Sequence, residues 1–276
     1  MFALFALIAF SLAPASHADD SLTVILDPGH GGEDTGAIRK INGKRIAEKD
    51  LTLQIARETA YQLRQKNIKV VLTRTGDKFV DLDTRTELAN LAQKKSTRAI
   101  FVSIHVNSDA DSRSAGIETY VFNAATNEAS QRLADLENGK RWSKSHATVD
   151  LILADLSSTA NYAESAQLAC SIQKNTINTA ARFGHKTRDR GIRQALFYVL
   201  MKTRMPSVLF EPGFISNPQE LSRLTSTKYQ RLLAHSLAEG IQKWRFEGRG
   251  RLLANSTSAR ATAAMSAVAK PGCNIH

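Results

Sequence analysis

Short apolar runs separated by amphipathic stretches organise the chain. Residues 23–26, 70–73, 99–104 and 208–210 have the length and β-branched content of buried strands, and residues 117–122 and 196–200 are weaker candidates. Helical spacing fills residues 48–66 between the first two runs and 84–95 between the second and third. Strand, helix, strand, helix, strand is the order of an α/β domain with a twisted, mostly parallel sheet flanked by helices. From Asn123 to about Ala160 the chain turns polar and loses strand character, before helical spacing resumes over 162–183. That stretch reads as a helical insertion ahead of the last strand. Leu232, Leu233, Leu237, Ile241 and Trp244 mark a closing helix, expected to stop before Gly248 and Gly250. No repeat of about 20 to 50 residues is present, which excludes solenoids and propellers.

The two ends break this pattern. Residues 2–12 are nearly all apolar and run into Pro14-Ala15-Ser16-His17-Ala18, small residues at signal-peptidase spacing, so residues 1–18 read as a secretory signal that lacks the usual basic start. A run of about 11 apolar residues is too short for a bilayer span, which needs about 20. The mature protein is therefore expected to be exported and soluble, with no transmembrane segment: periplasmic in a Gram-negative cell, secreted or wall-associated otherwise. Residues 22–246 form the expected folded domain. Residues 247–276, rich in Ala, Ser and Thr with scattered Arg260 and Lys270, read as a flexible basic tail.

With 276 residues and 42% apolar content the chain can fill a sizeable core. Its 37 Lys and Arg against 26 Asp and Glu give a net charge of +11, which favours an anionic partner without naming one. Cys170 and Cys273 are the only cysteines, so neither a disulfide scaffold nor a cysteine-built zinc site organises the fold. A bridge between them is possible, but the place of Cys273 in a tail without periodicity speaks against it.

The unusual polar residues fall at strand ends. Asp27-Pro28-Gly29-His30-Gly31-Gly32 follows the first strand, Ser103-Ile104-His105-Val106-Asn107 ends the third, and Phe210-Glu211-Pro212-Gly213 ends another. Ligands of open α/β sheets bind outside the carboxyl edge, so His30, His105 and Glu211 are expected to converge there. Glu48 shares a helix face with Leu51 and Ile55, the core face, where a carboxylate must cap the first turn or meet a partner. Taken singly, each histidine is ordinarily a hydrogen-bonding surface residue and Glu48 ordinarily a cap. Together, two imidazoles and a carboxylate are a set that binds catalytic Zn²⁺ and leaves a position open. Glu211 would then be free to move protons, since zinc brings the pKa of its water toward about 7.

Four ordered blocks carry a resemblance: residues 25–32, 48–51, 103–107 and 206–217, with Thr73-Arg74, Asp77, Leu82, Arg85 and Ala89-Asn90 between them. They resemble the zinc-dependent N-acetylmuramoyl-L-alanine amidases called amidase_3, over residues from about Thr23 to Trp244. The resemblance implies a six-stranded sheet, one Zn²⁺ held by His30, Glu48 and His105, and Glu211 as catalytic carboxylate. It implies hydrolysis of the amide between the muramic acid lactyl group and L-alanine of peptidoglycan, in cell-wall remodelling or daughter-cell separation. In family members that split daughter cells, a helical insertion plugs the site until an activator binds. Residues 123–160 stand in that place, and Glu137 in Leu136-Glu137-Asn138 is the candidate inhibitory ligand; residues 149–156 are similar to the stretch that anchors the plug. Ile117-Glu118-Thr119-Tyr120 is instead similar to uninhibited amidases of Gram-positive and phage origin. Motif order makes Asn107, Arg190 and Gln194 candidate substrate contacts.

Other functions fit less well. A non-catalytic peptidoglycan-binding protein on the same fold has no need of all four groups His30, Glu48, His105 and Glu211. Nucleic acid is not an expected partner, because no groove-reading motif or aromatic-lined cationic stripe occurs. A Gly-x-Ser-x-Gly elbow is missing, and the glycines at 29–32 lack a Gly-Lys-Ser/Thr ending. The protein is expected to act as a monomer.

Overall fold

The computed structural model describes residues 21–139, 144–257, 273 and 275. The expected signal at residues 1–18 lies outside them. Eight strands and seven helices are defined among the described residues. Strands β1 (Leu22–Pro28), β4 (Lys69–Leu72), β5 (Arg98–Ile104), β6 (Ile117–Phe122), β7 (Asp189–Ala195) and β8 (Ser207–Glu211) form one sheet in the order β4-β1-β5-β8-β6-β7. The first four in that order run parallel, while β6 is antiparallel to β8 and parallel to β7. A small hairpin, β2 (Ile38–Ile41) with β3 (Lys44–Ala47), stands apart from it.

Helix α1 (Glu48–Gln65), the long α4 (Lys144–Arg182) and α7 (Thr227–Thr257) cover one face of the sheet, with Val24, Leu26, Val102, Val208 and Phe210 facing them. Helix α2 (Leu82–Lys94), α3 (Glu128–Asn138) and the short α5 (Tyr198–Lys202) cover the other, over Ile25, Phe101, Tyr120 and Leu209. The remaining helix, α6 (Pro218–Leu224), is capped by Asn217, whose side chain accepts from Gln219 N and Glu220 N. Alternate residues of β1, β5 and β8 thus enter two cores, the pattern of a sheet buried on both faces. No helix among the described residues is long and apolar enough to cross a membrane.

Three expectations differ from the structure. Residues 196–200 are not a strand: β7 ends at Ala195 and the apolar run after it turns into α5. An edge strand rich in polar residues carries little hydrophobic signal, so β7 was hidden behind its apolar neighbour. The closing helix does not stop before Gly248 but continues to Thr257, as glycine costs a helix only about 1 kcal/mol per residue. Finally, Cys170 of α4 and Cys273 are bridged, with Cα atoms 5.9 Å apart. Ile275 pairs in parallel with Ile192 of β7, and Cys170, Cys273 and Ile275 pack against the larger core. The end of the tail is therefore seated on the domain, through a contact too short to leave any period in the sequence.

The bridge spans a sequence separation of 103 residues, so it restricts the unfolded chain strongly. Cys170→Ser is expected to lower unfolding stability by about 2–5 kcal/mol, read as a reduced Tm. Thiol titration of the unreduced protein should find no free cysteine.

Candidate metal centre

Parallel β1 and β5 lie side by side with β8 next to β5, so their carboxyl ends share one rim. His30 sits just past β1 with φ +60°, a conformation few non-glycine residues hold. Buried guanidiniums support this turn. Arg85 Nη1 donates to Pro28 O at 2.6 Å and Asp27 Oδ1 at 2.8 Å, and its Nη2 to His30 O at 2.7 Å. Arg74 donates to Pro28 O at 3.0 Å and Gly29 O at 2.8 Å. Asp27 also accepts from Thr73 Oγ1 at 2.6 Å and Ser103 Oγ at 2.9 Å. Burial opposes the charge on Asp27, but Arg85 and Thr73 outweigh it and hold the carboxyl below its usual range. The loop's carbonyls are satisfied without water, which leaves the His30 side chain free to point into the site. Gly29 permits the close approach of the second histidine: a Cβ there would stand 2.4 Å from the His105 ring.

His105 follows β5, its N–H donating to Phe210 O of the neighbouring strand. Glu48 opens α1, yet it does not cap that helix. Its Oε2 accepts from Ala37 N at 3.0 Å and its Oε1 from Val106 N at 2.9 Å, tying the hairpin and the β5 loop together. Glu48 Oε1 stands 3.1 Å from His30 Nε2 and 3.2 Å from His105 Nδ1. Glu137, from the last turn of α3, completes the group: its Oε2 is 3.2 Å from His30 Nε2 and 2.9 Å from His105 Nδ1. One donor atom from each of His30, Glu48, His105 and Glu137 lies within 4.8 Å of the others. His30 Nε2, His105 Nδ1 and Glu137 Oε2 are buried without a hydrogen bond of acceptable geometry. On its far side, His30 Nδ1 is 3.0 Å from both oxygens of Asp34, a carboxylate placed to fix the tautomer and ring.

Electrostatics agree with the geometry. Burial lowers the proton affinity of His30, but Glu48 and Glu137 overturn this and hold the imidazole well above its ordinary pKa. His105 is likewise opposed by burial and pushed up to about 10, chiefly by Glu137. The field that pulls protons onto these rings is the field that would attract a divalent cation. Two imidazole nitrogens and carboxylate oxygens are a zinc-type donor set, so the residues present fit such an ion.

Glu211 ends β8, fully buried, with neither oxygen hydrogen-bonded. Burial raises its pKa well above the usual carboxylate range; His105 opposes the shift, and Glu48, Glu137 and Glu118 add to it. A cavity of about 330 Å³ opens beside these groups, lined by His30, His105, Glu137, Arg85, Phe197 and Leu209 among others.

Helix α3 lies over this cavity. Asn127 caps its start, Leu133 and Ala134 join the smaller core, and Asn138 grips the β7–α5 connection by donating to Leu196 O at 2.7 Å and accepting from Tyr198 N at 2.8 Å. The expected anchor at residues 149–156 lies in α4, where only the backbone is described. Of the three candidate substrate contacts, Asn107 is buried on the β5 side of the rim, its backbone bridged to Phe214. Arg190 is on the rim, paired with Glu118. Gln194 is not brought to the site: it donates to Tyr162 of α4 at 2.8 Å.

Sequence reasoning named no role for Asp34, Arg74 or Arg85. For Arg85 a signal existed, since it shares the buried face of α2 with Ala89, the same argument that singled out Glu48.

Comparison with known proteins agrees with this geometry. Residues 24–243 match the Amidase_3 family, described as N-acetylmuramoyl-L-alanine amidase. N-acetylmuramoyl-L-alanine amidase AmiC of Neisseria meningitidis serogroup B is 35% identical over 229 residues, 80% of this chain and 52% of that protein. Amidase AmiA of Escherichia coli K12 is 34% identical over 226 residues, 79% of this chain and 74% of that one. The chain thus spans about half the length of the first relative and about three quarters of the second. The crystal structure of N-acetylmuramoyl-L-alanine amidase from Clostridium difficile 630 aligns at a TM-score of 0.61 with 32% identity, covering 82% of this chain and 97% of that one. With the match running through all four motif blocks and the sheet that assembles them, this chain belongs to the Amidase_3 family of N-acetylmuramoyl-L-alanine amidases.

Proposed function

We propose that this chain is a zinc-dependent N-acetylmuramoyl-L-alanine amidase that cleaves the amide between the lactyl group of muramic acid and L-alanine in peptidoglycan. The observation that carries the reading is the convergence of buried, unbonded His30 Nε2, His105 Nδ1 and Glu137 Oε2 with Glu48 beside an unbonded Glu211. His30, Glu48 and His105 would hold one zinc ion. When bound, zinc supplies Lewis acidity toward the scissile carbonyl and lowers the pKa of water. Glu211 accepts the proton from the attacking water and delivers it to the leaving amine; its dry, like-charged surroundings favour holding that proton between the two steps. Asp34 keeps His30 oriented, and Arg85 with Arg74 keeps the loop from yielding.

Glu137 supports a resting state that is shut. Its oxygen stands against both imidazoles, where it would compete with water for a bound metal, and the end of α3 lines the cavity. An activating protein that draws α3 aside would open the site. Arg190 is retained as a substrate contact, and Asn107 as a rim residue beside the cavity. The disulfide and the apolar start of the chain support work outside the cytoplasm, in the periplasm or at the cell wall. A non-catalytic wall-binding role is disfavoured by Glu211, because a buried carboxylate without a partner costs stability that binding alone would not require.

Glu211→Gln is expected to keep bound zinc while turnover on purified peptidoglycan falls by about 10²–10⁴-fold; metal analysis and zymography check the two halves separately. His105→Ala and His30→Ala should lose the metal itself, and full occupancy in either would refute the ligand set. Glu137→Gln should retain zinc and raise basal hydrolysis. Equal or lower activity with the fold intact would show that α3 is no plug.

A further inference from the structure

We infer that Arg190 and Arg193 form a cationic anchor for a carboxylate on the peptide released by the reaction, a subsite that rests on the amidase reading above. In a regular strand, residues three apart point to opposite faces. Here a register shift intervenes: Ile117 pairs with Asp189 and Thr119 with Ile192, so β7 carries one extra residue against β6. Gly191 takes φ +80° at that point, a backbone state that glycine enters freely. The bulge brings both guanidiniums onto Glu118, Arg190 through Nε to Oε1 and Arg193 through Nε to Oε2 at 3.0 Å. Bulges beside active sites re-aim side chains in this way. Glu118 is buried, accepts the Tyr120 hydroxyl at 2.5 Å, and pairs directly with Glu211 across the β6/β8 ladder.

Two guanidiniums face Glu118, and Glu220, the other carboxylate in the field of Arg190, already has Arg223 as its ion-pair partner, which leaves one positive charge over. Arg190 donates its Nε to Glu118, Arg193 holds its Nε near the same carboxylate without a hydrogen bond of acceptable geometry, and neither has another hydrogen bond among the described residues. Their side chains remain 16% and 18% exposed, so neither is sealed from solvent. Arg190 also lies over the Phe214 ring at 5.1 Å, which holds its plane. A planar fork with free ends suits bidentate capture of a carboxylate. Distance selects which carboxylate. The strands run β5, β8, β6, β7 across the rim. Because both guanidiniums reach back to Glu118 of β6, at about 4.8 Å per strand the anchor is about 5–10 Å from Glu211 and about 10–14 Å from His105. An extended peptide covers about 3.4 Å per residue, so the carboxylate is three or four residues from the scissile bond.

The test compares N-acetylmuramoyl tetrapeptides carrying free carboxylates with the same peptides amidated at the third or fourth residue. The zinc-loaded full chain is assayed as wild type, as Arg193→Gln and as Arg190→Gln/Arg193→Gln, each also in a Glu137→Gln background. Amidation should raise KM about tenfold for the wild type with little change in kcat, while the double variant treats acid and amide alike. Calorimetry with the released tetrapeptide should give the same discrimination without relying on turnover. Equal handling of acid and amide by the wild type, or discrimination that survives in the double variant, overturns the anchor. If the triad only braces β6 against β7, the variants lose Tm but discrimination does not follow the arginines. Failure of every zinc-loaded form to cleave would instead count against the amidase reading, with the calorimetric comparison still deciding the anchor.

Discussion

Three carboxylates, the buried Glu48 and Glu211 and the partly buried Glu137, crowd one corner of the sheet, and among the described residues no lysine or arginine bonds any of them. Only two imidazoles and a pair of backbone amides offset that charge. Coulomb repulsion in a dry corner is not screened as it is in water, so the arrangement is stable only if protons or a cation neutralise it. A single divalent ion among the converging nitrogens and oxygens would offset two of those charges, and the raised pKa of Glu211 favours a proton on the third. The rest of the architecture serves to hold these groups together against their mutual repulsion.

That holding begins with topology. Adjacent parallel strands put His30, His105 and Glu211 on one rim by construction, and Glu48 reaches it from the first residue of α1. Precision comes from a layer of charged groups beneath the turn. Asp27 of β1 accepts from Ser103 of β5, and Arg85 joins its carboxylate to the carbonyls of the turn. Because Asp27, Arg85 and Arg74 are each satisfied several times over, the loop has few ways to relax. A left-handed His30 is affordable in such a setting and would be improbable in a free turn.

Much of this could be read in the sequence, and for definable reasons. Apolar runs of three to six residues located five of the six strands of the main sheet, four of them strands whose burial leaves little polar alternation to confuse. The chemistry-bearing residues stood out because each interrupts or ends such a run. Edge elements were harder. Strand β7 has four polar residues among its seven, and Arg190 and Arg193 answer to Glu118, a partner 72 residues from the first of them. The β2/β3 hairpin is too short and charged to announce itself. The Cys170–Cys273 link and the place of Gln194 against Tyr162 depend on contacts between distant segments, about which local periodicity is silent.

The proposed plug illustrates how such a fold could be both closed and openable. Helix α3 buries Leu133 and Ala134, while Leu136 beside Glu137 is left 71% exposed. Burial of one leucine contributes about 1.5–3 kcal/mol, and the two hydrogen bonds of Asn138 about 1 kcal/mol each. The helix is thus held by a few kcal/mol, plus whatever Glu137 gains from a cation. Reversing a strongly closed equilibrium takes about 5.5 kcal/mol of differential binding, within reach of a modest protein contact on an exposed apolar side chain. A lid with a fully buried face would require far more. The sparse packing of α3 is therefore what a displaceable plug needs, whereas the densely bonded loop beneath it is what a fixed metal site needs.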